Sequence, residues 1–156
     1  MSALAVGDAA PEFSLEADTG SHIALSDLGG KWAIVYFYPR DNTPGCTRES
    51  CDFRDNYARF QSANAEIFGV SADSIKSHIK FKTKYEFPFA LLSDPDKEML
   101  TEWGVWAEKK NYGRTYMGII RTTYIIDPTG KVAAAWPKVR VKGHVDDVLA
   151  TLEKLQ

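Results

Sequence analysis

The sequence of 156 residues has no long hydrophobic run and very little cysteine. Its longest apolar segments, residues 32–38 and 117–120, have the length of strands, whereas a membrane-spanning helix needs about 20 apolar residues. The N-terminus lacks the basic region and the extended apolar segment of a signal peptide. We therefore expect no membrane segment and a cytoplasmic location.

The sequence also lacks an excess of charge of one sign. Nineteen Lys and Arg stand against 21 Asp and Glu, for a formal net charge of -2, whereas nucleic-acid-binding domains normally carry a basic excess. Phosphate-binding glycine motifs, internal repeats and low-complexity linkers are absent as well. We expect a single domain over residues 1–156, with no nucleic-acid partner and no cofactor.

The only cysteines are Cys46 and Cys51. In a reducing compartment, two thiols this close are more often catalytic or metal-binding than a structural disulfide. A zinc site usually requires four ligands, and the histidines have no ligand spacing to these cysteines. We interpret His22, His78 and His144 as surface or capping residues and expect no metal site.

The apolar pattern predicts alternating strands and helices. Residues 32–38 are almost wholly apolar, which is typical of a strand buried on both faces of a sheet. Further strands are predicted at 13–15, 22–25, 65–71, 89–92, 121–126 and 131–136, and helices at 46–63, about 74–85, about 95–103 and 144–155. This order predicts an α/β fold with a mixed central sheet flanked by helices, and with an N-terminal β-hairpin.

The segment from Pro39 to Cys51, with the sequence PRDNTPGCTRESC, carries the most informative chemistry. Cys46 follows the buried strand and begins a helix, where free N–H groups and the helix dipole stabilise a thiolate. Because the thiolate is the reactive form, Cys46 is a candidate nucleophile. Thr43 lies three residues upstream, so its hydroxyl can reach the sulfur or an oxygen atom attached to it. Prolines on both sides of the loop stiffen it; the alternative is an unreactive buried cysteine.

Cys51 follows Cys46 by five residues. On an intact helix, this spacing gives a rise of about 7.5 Å and a rotation of about 140°, and so a Cα separation of roughly 8–9 Å. A disulfide spans at most roughly 7 Å between Cα atoms. If the two cysteines bond, the first turns of the helix must therefore unwind. The alternative for Cys51 is an ordinary cysteine on a helix face.

The pattern Pro39-x3-Thr43-x2-Cys46 resembles the active-site signature of the peroxiredoxins. The wider run that includes Cys51 looks like the bacterioferritin-comigratory-protein or peroxiredoxin Q subfamily. The resemblance extends along the chain through residues 7–13, 68–74, 92–94 and 121–127. It implies a thioredoxin-like fold and a thiol peroxidase that reduces hydrogen peroxide and organic hydroperoxides.

The resemblance also implies a redox cycle. Cys46 corresponds to the peroxidatic cysteine, which attacks the O–O bond and becomes a sulfenic acid. Cys51 corresponds to a resolving cysteine that forms an intramolecular Cys46–Cys51 disulfide, which thioredoxin or a similar dithiol then reduces. Because no cysteine follows Cys51, we expect no resolving disulfide to a second chain, and a monomer.

Four further residues take roles from the same resemblance. Arg121 matches the arginine that holds the thiolate and polarises the peroxide. Thr43 would contact the peroxide and the thiolate, and Pro39 would shield the sulfur from water. Glu49, one turn after the peroxidatic cysteine, would pair with Arg121 and orient it.

Two other functions remain open on the sequence. A protein disulfide oxidoreductase of the thioredoxin type would carry a C-x-x-C motif, whereas four residues separate the cysteines here. A binding or chaperone module of the same fold would leave both cysteines inert. Counting the thiols that are lost after one equivalent of hydrogen peroxide distinguishes these functions from a peroxidase.

Overall fold

The central strand of the fold divides the interior into two apolar cores. A computed structural model describes residues 3–156, and its strand β3 (Trp32–Phe37) is the third along the chain. Ile34 and Tyr36 belong to one core, whereas Val35 and Phe37 belong to the other. The side chains of a strand alternate between its two faces, so a strand covered on both sides is apolar at almost every position.

Seven of the described strands form one mixed sheet. Along the chain, the strands are β1 (Ser14–Ala17), β2 (His22–Ala24), β3, β4 (Ala65–Ser71), β5 (Ala90–Ser93), β6 (Trp106–Asn111), β7 (Arg114–Ile119), β8 (Thr122–Ile126) and β9 (Val132–Trp136). Their order in the main sheet is β2-β1-β5-β4-β3-β8-β9, and β6 pairs with β7 separately. The β3–β4 and β4–β5 pairs are parallel and the others antiparallel.

Helices cover both faces of this sheet. They are α1 (Pro44–Asp55), α2 (Tyr57–Ser62), α3 (Ile75–Tyr85), α4 (Glu98–Glu102) and α5 (His144–Leu155). Phe53, Phe60, Phe81 and Leu149 pack α1, α2, α3 and α5 on the Ile34 side, whereas Leu100 packs α4 on the Val35 side. The mixed sheet between helices, with its N-terminal hairpin, confirms the predicted architecture. Across residues 3–156, no helix combines the length and apolar composition needed to cross a bilayer.

The antiparallel pairing of β3 and β8 determines where the site forms. Phe37, at the end of β3, lies opposite Thr122, at the start of β8. The loop that follows β3 and the residue that precedes β8 therefore meet at one edge of the sheet. This register brings Arg121 beside the beginning of α1.

The helix predicted over 46–63 is two helices in the structure. Asn56 separates α1 from α2 with φ −109° and ψ 7°, and its side-chain Nδ2 donates to the Asp52 carbonyl at 2.8 Å. Asparagine competes for backbone hydrogen bonds in this way and so favours helix ends. The apolar spacing continues across the break, which is why it predicted one helix.

The β6–β7 hairpin was not predicted from the apolar pattern. Its turn contains Tyr112 and Gly113, both with positive φ, 51° and 77°, and such turns match the twist of hairpin strands. Lys109, Lys110 and Arg114 interrupt the apolar alternation of these strands. Gly113 was the sequence feature that could have predicted the hairpin turn, but the lysines beside it removed the apolar alternation that identifies strands.

Two of the three histidines contradict the prediction that they are surface or capping residues. His22 is exposed, but His78 and His144 are only 0% and 5% exposed. Their ring nitrogens find partners inside the protein, Asp41 for His78 and Thr123 for His144. A buried imidazole is stable when its nitrogens are hydrogen-bonded, and sequence spacing does not reveal such partners.

Gly69 provides a test of how tightly β3 and β4 pack. A Cβ at Gly69 would lie 2.7 Å from Tyr36 Oη and 2.9 Å from Leu91 Cδ2. Tyr36 is held in place, because it stacks on Phe53 at 4.6 Å and hydrogen-bonds Ser50 at 2.9 Å. We expect Gly69→Ala to lower the free energy of unfolding by about 1–3 kcal/mol, measured by urea denaturation.

Gly118→Ala is the matched control, since Gly118 also lies in a strand. Its added Cβ meets Lys109 Cδ at 3.0 Å and Tyr116 Cε2 at 3.3 Å, and these side chains are not enclosed in the core and can move aside. A Gly69→Ala variant as stable as Gly118→Ala would contradict the close packing.

Candidate active site

Cys46 occupies the first turn of α1 and is 1% exposed. Thr43 immediately precedes the helix and has an extended backbone. In the first hydrogen bond of the helix, the Thr47 N–H donates to the Thr43 carbonyl at 2.8 Å. The N–H groups of Gly45 and Cys46 lie before this hydrogen bond and have no acceptor within the helix. They leave partial positive charge at the start of the helix, where Cys46 lies.

Arg121 joins the sulfur to a buried carboxylate. Its Nη2 donates to Cys46 Sγ at 3.4 Å, and its Nη1 donates to Glu49 Oε1 at 2.7 Å. Burial opposes the positive charge of Arg121, but the charges of Glu49 and Cys46 outweigh burial and raise its pKa. The guanidinium therefore stays charged, with one edge on the sulfur and the other on the carboxylate.

Gly45 allows this close approach of the guanidinium to the helix. A Cβ at this position would lie 3.2 Å from Arg121 Nη2, tighter than nine in ten Cβ contacts in proteins, so the guanidinium would have to shift by a few tenths of an ångström. The sequence contained a Pro44-Gly45 turn signal, but the close approach of Arg121 became evident only in the structure.

Glu49 is buried at the centre of the site, with 0% exposure. Burial raises the pKa of Glu49 to about 7, although the Arg121 charge opposes the shift. Within residues 3–156, its Oε2 has no hydrogen-bond partner. His144 Nε2 lies 3.9 Å from that oxygen, but burial lowers the pKa of His144 to about 4. His144 is therefore neutral at pH 7 and leaves Arg121 as the cation that faces Glu49.

Thr43 and Pro39 lie near Cys46 along the chain but make different contacts. The Thr43 hydroxyl donates to the Arg40 carbonyl at 2.9 Å, and it is not hydrogen-bonded to the sulfur in the described part of the chain. With its proton engaged, the hydroxyl offers its lone pairs as an acceptor. Pro39 is partly buried and lies two residues after the end of β3.

Cys51 lies in the same helix as Cys46, and both cysteines are free thiols. Cys51 is partly exposed, and burial raises its pKa although Arg54 opposes the shift. Cys51 is therefore a protonated thiol at neutral pH. The unbroken α1 places the two residues at the separation that precludes a disulfide.

Lys109 is a second cation of the site, which sequence reasoning missed along with the β6–β7 hairpin. Its Nζ donates to the Ile119 carbonyl at 2.9 Å. Burial and the Arg121 charge lower the pKa of Lys109, whereas Cys46 has the opposite effect. Lys109 thus adds positive potential near the sulfur without a direct bond to it.

One group of side chains has the composition of a metal site. Ligand atoms of Asp41, Asp73 and His78 lie within 4.8 Å of one another. Both ring nitrogens of His78 are already hydrogen-bonded, to Asp41 and to the Leu92 carbonyl. The group is therefore a hydrogen-bonded cluster, and its donor set does not fit a metal ion.

The comparisons with known proteins agree on one family. Residues 6–135 match the model of the AhpC/TSA family. The peroxiredoxin Bcp of Bacillus subtilis is 47% identical over 150 residues, which cover 96% of this chain and 96% of that protein.

Two solved structures resemble the chain over most of its length. The bacterioferritin comigratory protein of Xanthomonas campestris, studied for its alkyl peroxide reduction activity, is 43% identical with a TM-score of 0.87, over 91% of this chain and 90% of that one. A mutant of PrxQ from Xylella fastidiosa is 37% identical with a TM-score of 0.93, over 99% and 98%. These likenesses confirm the thioredoxin-like fold that the sequence implied. Because the family match, the sequence identity and the fold agree, this chain belongs to the AhpC/TSA family and, within it, to the Bcp or peroxiredoxin Q group of peroxiredoxins.

Proposed function

We propose that this chain is a thiol peroxidase that reduces hydrogen peroxide and organic hydroperoxides at Cys46 and resolves the product with Cys51. The contact of Arg121 with both Cys46 Sγ and Glu49 carries the proposal. It gives the buried sulfur a charged donor that a structural cysteine does not require. The alkyl peroxide reduction studied in the Xanthomonas campestris relative supports the same chemistry.

In the first step, the Cys46 thiolate attacks the terminal oxygen of the peroxide. The O–O bond breaks, the sulfur gains an S–OH bond, and the electron pair leaves on the alkoxide, which takes a proton to become an alcohol. Arg121 stabilises the negative charge as it moves from the sulfur to the leaving oxygen. The Thr43 hydroxyl accepts a hydrogen bond from the bound peroxide, and Pro39 shields the sulfur from water.

Glu49 positions the guanidinium for this step. A single contact with the sulfur would let Arg121 rotate, whereas two contacts on different nitrogens define its orientation. The 0% exposure of Glu49 excludes water from competing for that carboxylate. Glu49 thus acts through Arg121 rather than on the peroxide.

In the second step, the Cys51 thiol condenses with the Cys46 sulfenic acid to form a disulfide and release water. Because α1 holds the two residues too far apart, its first turns must unwind. Unwinding breaks the backbone hydrogen bond from Thr47 to Thr43 and the contact between Arg121 and the Cys46 sulfur. The proposal therefore includes a reduced, folded state and an oxidised, locally unfolded state.

An external dithiol such as thioredoxin then reduces the disulfide by thiol–disulfide exchange. The complete cycle converts one hydroperoxide and one dithiol into an alcohol, water and a disulfide. The enzyme acts as a monomer, since both cysteines lie in one helix and their condensation needs no second copy of the chain. The cycle runs in the cytoplasm, where cellular dithiols reduce the disulfide back to two thiols.

Replacing Cys46 tests the proposed function directly. We expect Cys46→Ser to lose peroxidase turnover to below a few per cent of wild type, because a serine hydroxyl does not ionise at neutral pH. One equivalent of hydrogen peroxide is added to the reduced protein and thiols are counted. Fast loss of both wild-type thiols is expected; loss as slow as for a free thiol in solution would contradict the proposal.

Replacing Arg121 tests the charged contact. We expect Arg121→Ala to slow the peroxide step by about 10²- to 10³-fold, the effect of removing one preorganised donor. The rate of Cys46 alkylation at neutral pH should also fall, since less thiolate is present. Arg114→Ala, an exposed arginine in β7, is the matched control. If alkylation follows the same pH profile in Arg121→Ala and wild type, Arg121 does not stabilise the thiolate.

Replacing Cys51 tests the second step. We expect Cys51→Ser to retain the first reaction with peroxide but to lose recycling by thioredoxin, and to accumulate sulfenic and then sulfinic acid on Cys46. Hydrogen exchange over residues 46–57 should rise on oxidation in wild type and stay low in the variant. Equal exchange in both oxidised proteins would refute the unfolding step, and full thioredoxin-linked turnover would leave a one-cysteine enzyme.

A further inference from the structure

We propose that Asp41 and His78 form a buried ion pair that fixes the loop between β3 and α1 and thereby positions Thr43 and Cys46 for the peroxide step. This inference rests on the proposed function of Cys46. Asp41 and His78 are positioning residues, because their hydrogen bonds go to Tyr38, Asp73, Ser77 and Leu92 and to each other rather than to the sulfur.

Asp41 is the buried residue of an otherwise accessible loop. It is 8% exposed, whereas the other residues of 39–45 are partly or fully exposed. A carboxylate in such a loop would normally face water, and burying it is unfavourable unless partners satisfy it. Asp41 is therefore the residue that ties this loop to the protein interior.

Four hydrogen bonds satisfy Asp41. Tyr38 Oη donates to Oδ1 at 2.6 Å, and Ser77 Oγ donates to Oδ2 at 2.8 Å. His78 Nδ1 lies 2.7 Å from Oδ2. The Asp41 backbone N–H donates to Asp73 Oδ2 at 2.8 Å. These partners come from the end of β3, from α3 and from the segment before α3, so they hold the loop from several directions.

The surroundings of His78 require a proton on each ring nitrogen. Nε2 lies 2.9 Å from the Leu92 carbonyl oxygen, which only accepts, so Nε2 donates. Nδ1 faces the Asp41 carboxylate, which already accepts from Tyr38 and Ser77. Because a carboxyl group is a stronger acid than an imidazolium, the shared proton resides on His78. The pair is therefore an imidazolium and a carboxylate.

The charged and titratable groups around His78 favour this state. They are Asp41 from the loop, Asp73 from the segment before α3, Tyr38 from the end of β3 and, one turn along α3, Lys82, which is paired with Asp18 at 2.9 Å. Burial acts to lower the pKa of His78, but the Asp41 hydrogen bond and charge, the Leu92 carbonyl and Asp73 outweigh it and raise that pKa. Burial raises the pKa of Tyr38, and the nearby Asp41 and Tyr36 raise it further, so the Tyr38 hydroxyl stays neutral.

Asp41 is linked to Thr43 through its two neighbours in the loop. Arg40, the residue before Asp41, presents the carbonyl that holds the Thr43 hydroxyl. Asn42, the residue after it, adopts a left-handed backbone with φ 57°, and Tyr85 Oη donates to its side chain at 3.3 Å. A shift of Asp41 therefore moves both the hydroxyl that meets the peroxide and the start of the helix that carries Cys46.

The pair also makes the loop sensitive to pH. The folded-state pKa of His78 is raised above its unfolded value, so its stabilising contribution is complete below about pH 6.5. The contribution is lost as the pH rises through the raised folded value, because the buried Asp41 carboxylate then faces a neutral ring. We expect the active-site loop to loosen in alkaline solution before the fold as a whole is lost.

Nitrogen NMR of the wild-type histidines tests the charge state without any substitution. We expect His78 to keep two protonated ring nitrogens at about pH 6.5, where a histidine of ordinary pKa is half deprotonated, while His144 is neutral. The ring of His78 should lose its second proton only at higher pH. A neutral His78 ring at pH 6 would overturn the proposal.

Substitutions test the effect on the peroxide step. We expect His78→Gln to slow thiol loss to hydrogen peroxide at pH 7 by about 10- to 100-fold, the effect of misplacing reacting groups without removing them. We also expect the wild-type rate to fall in alkaline solution as His78 deprotonates, and the variant to lack this fall. His22→Gln is the matched control, since it removes an exposed imidazole on β2, and it should react like wild type at every pH.

A second variant answers the question if His78→Gln does not fold. Tyr38→Phe keeps the buried ring and removes one hydrogen bond to Asp41, so we expect a smaller fall of about 2- to 10-fold. Equal rates and pH profiles for wild type and for the folded variants would overturn the proposal. Slow thiol loss in wild type and in His22→Gln would instead contradict the proposed function, so the two failures are distinguishable.

Discussion

The contact between Arg121 and Cys46 depends on the antiparallel pairing of β3 with β8. The two residues are 75 positions apart in sequence, and the register that places Phe37 opposite Thr122 brings them to one edge of the sheet. The residues of β3 alternate between two buried cores. A slip of one position would move every side chain of the strand to the opposite face of the sheet, so the register is strongly specified. The precision of the site is thus a consequence of how the sheet is packed.

Burial gives the site its chemical character. Cys46 and Glu49 are almost completely removed from water, so the charge of Arg121 acts on them with little screening. The same burial raises the pKa of Glu49 to about 7, although the Arg121 charge opposes the shift. Lys109 adds further positive potential, and together the positive charges favour the proposed reaction, in which negative charge moves from sulfur to oxygen.

Helix α1 must meet two opposing requirements in the proposed cycle. It has to hold Cys46 against Arg121 in the reduced state, and it has to unwind so that Cys51 can approach the sulfur. Phe53, two residues beyond Cys51, is fully buried and stacks on Tyr36 at 4.6 Å, which anchors the far side of the segment. On the near side, the proposed Asp41–His78 pair holds the loop. Between these two anchors, the segment can open locally and return to the same position after reduction.

The sequence alone was sufficient for the order of most strands and helices, since apolar periodicity reports which faces are buried. It also pointed to the segment around Cys46, where prolines, a threonine and a helix start adjoin a cysteine. The pairing of Arg121 with Glu49 was implied by the family resemblance, but the burial of this pair and the close approach of Arg121 to Gly45 were not. The break at Asn56, the β6–β7 hairpin with Lys109, and the buried His78 and His144 also became evident only in the structure. Local sequence patterns show which face of a segment is buried and which faces water. Buried charges, in contrast, are stabilised by partners from distant segments, and only the folded chain decides which partners meet.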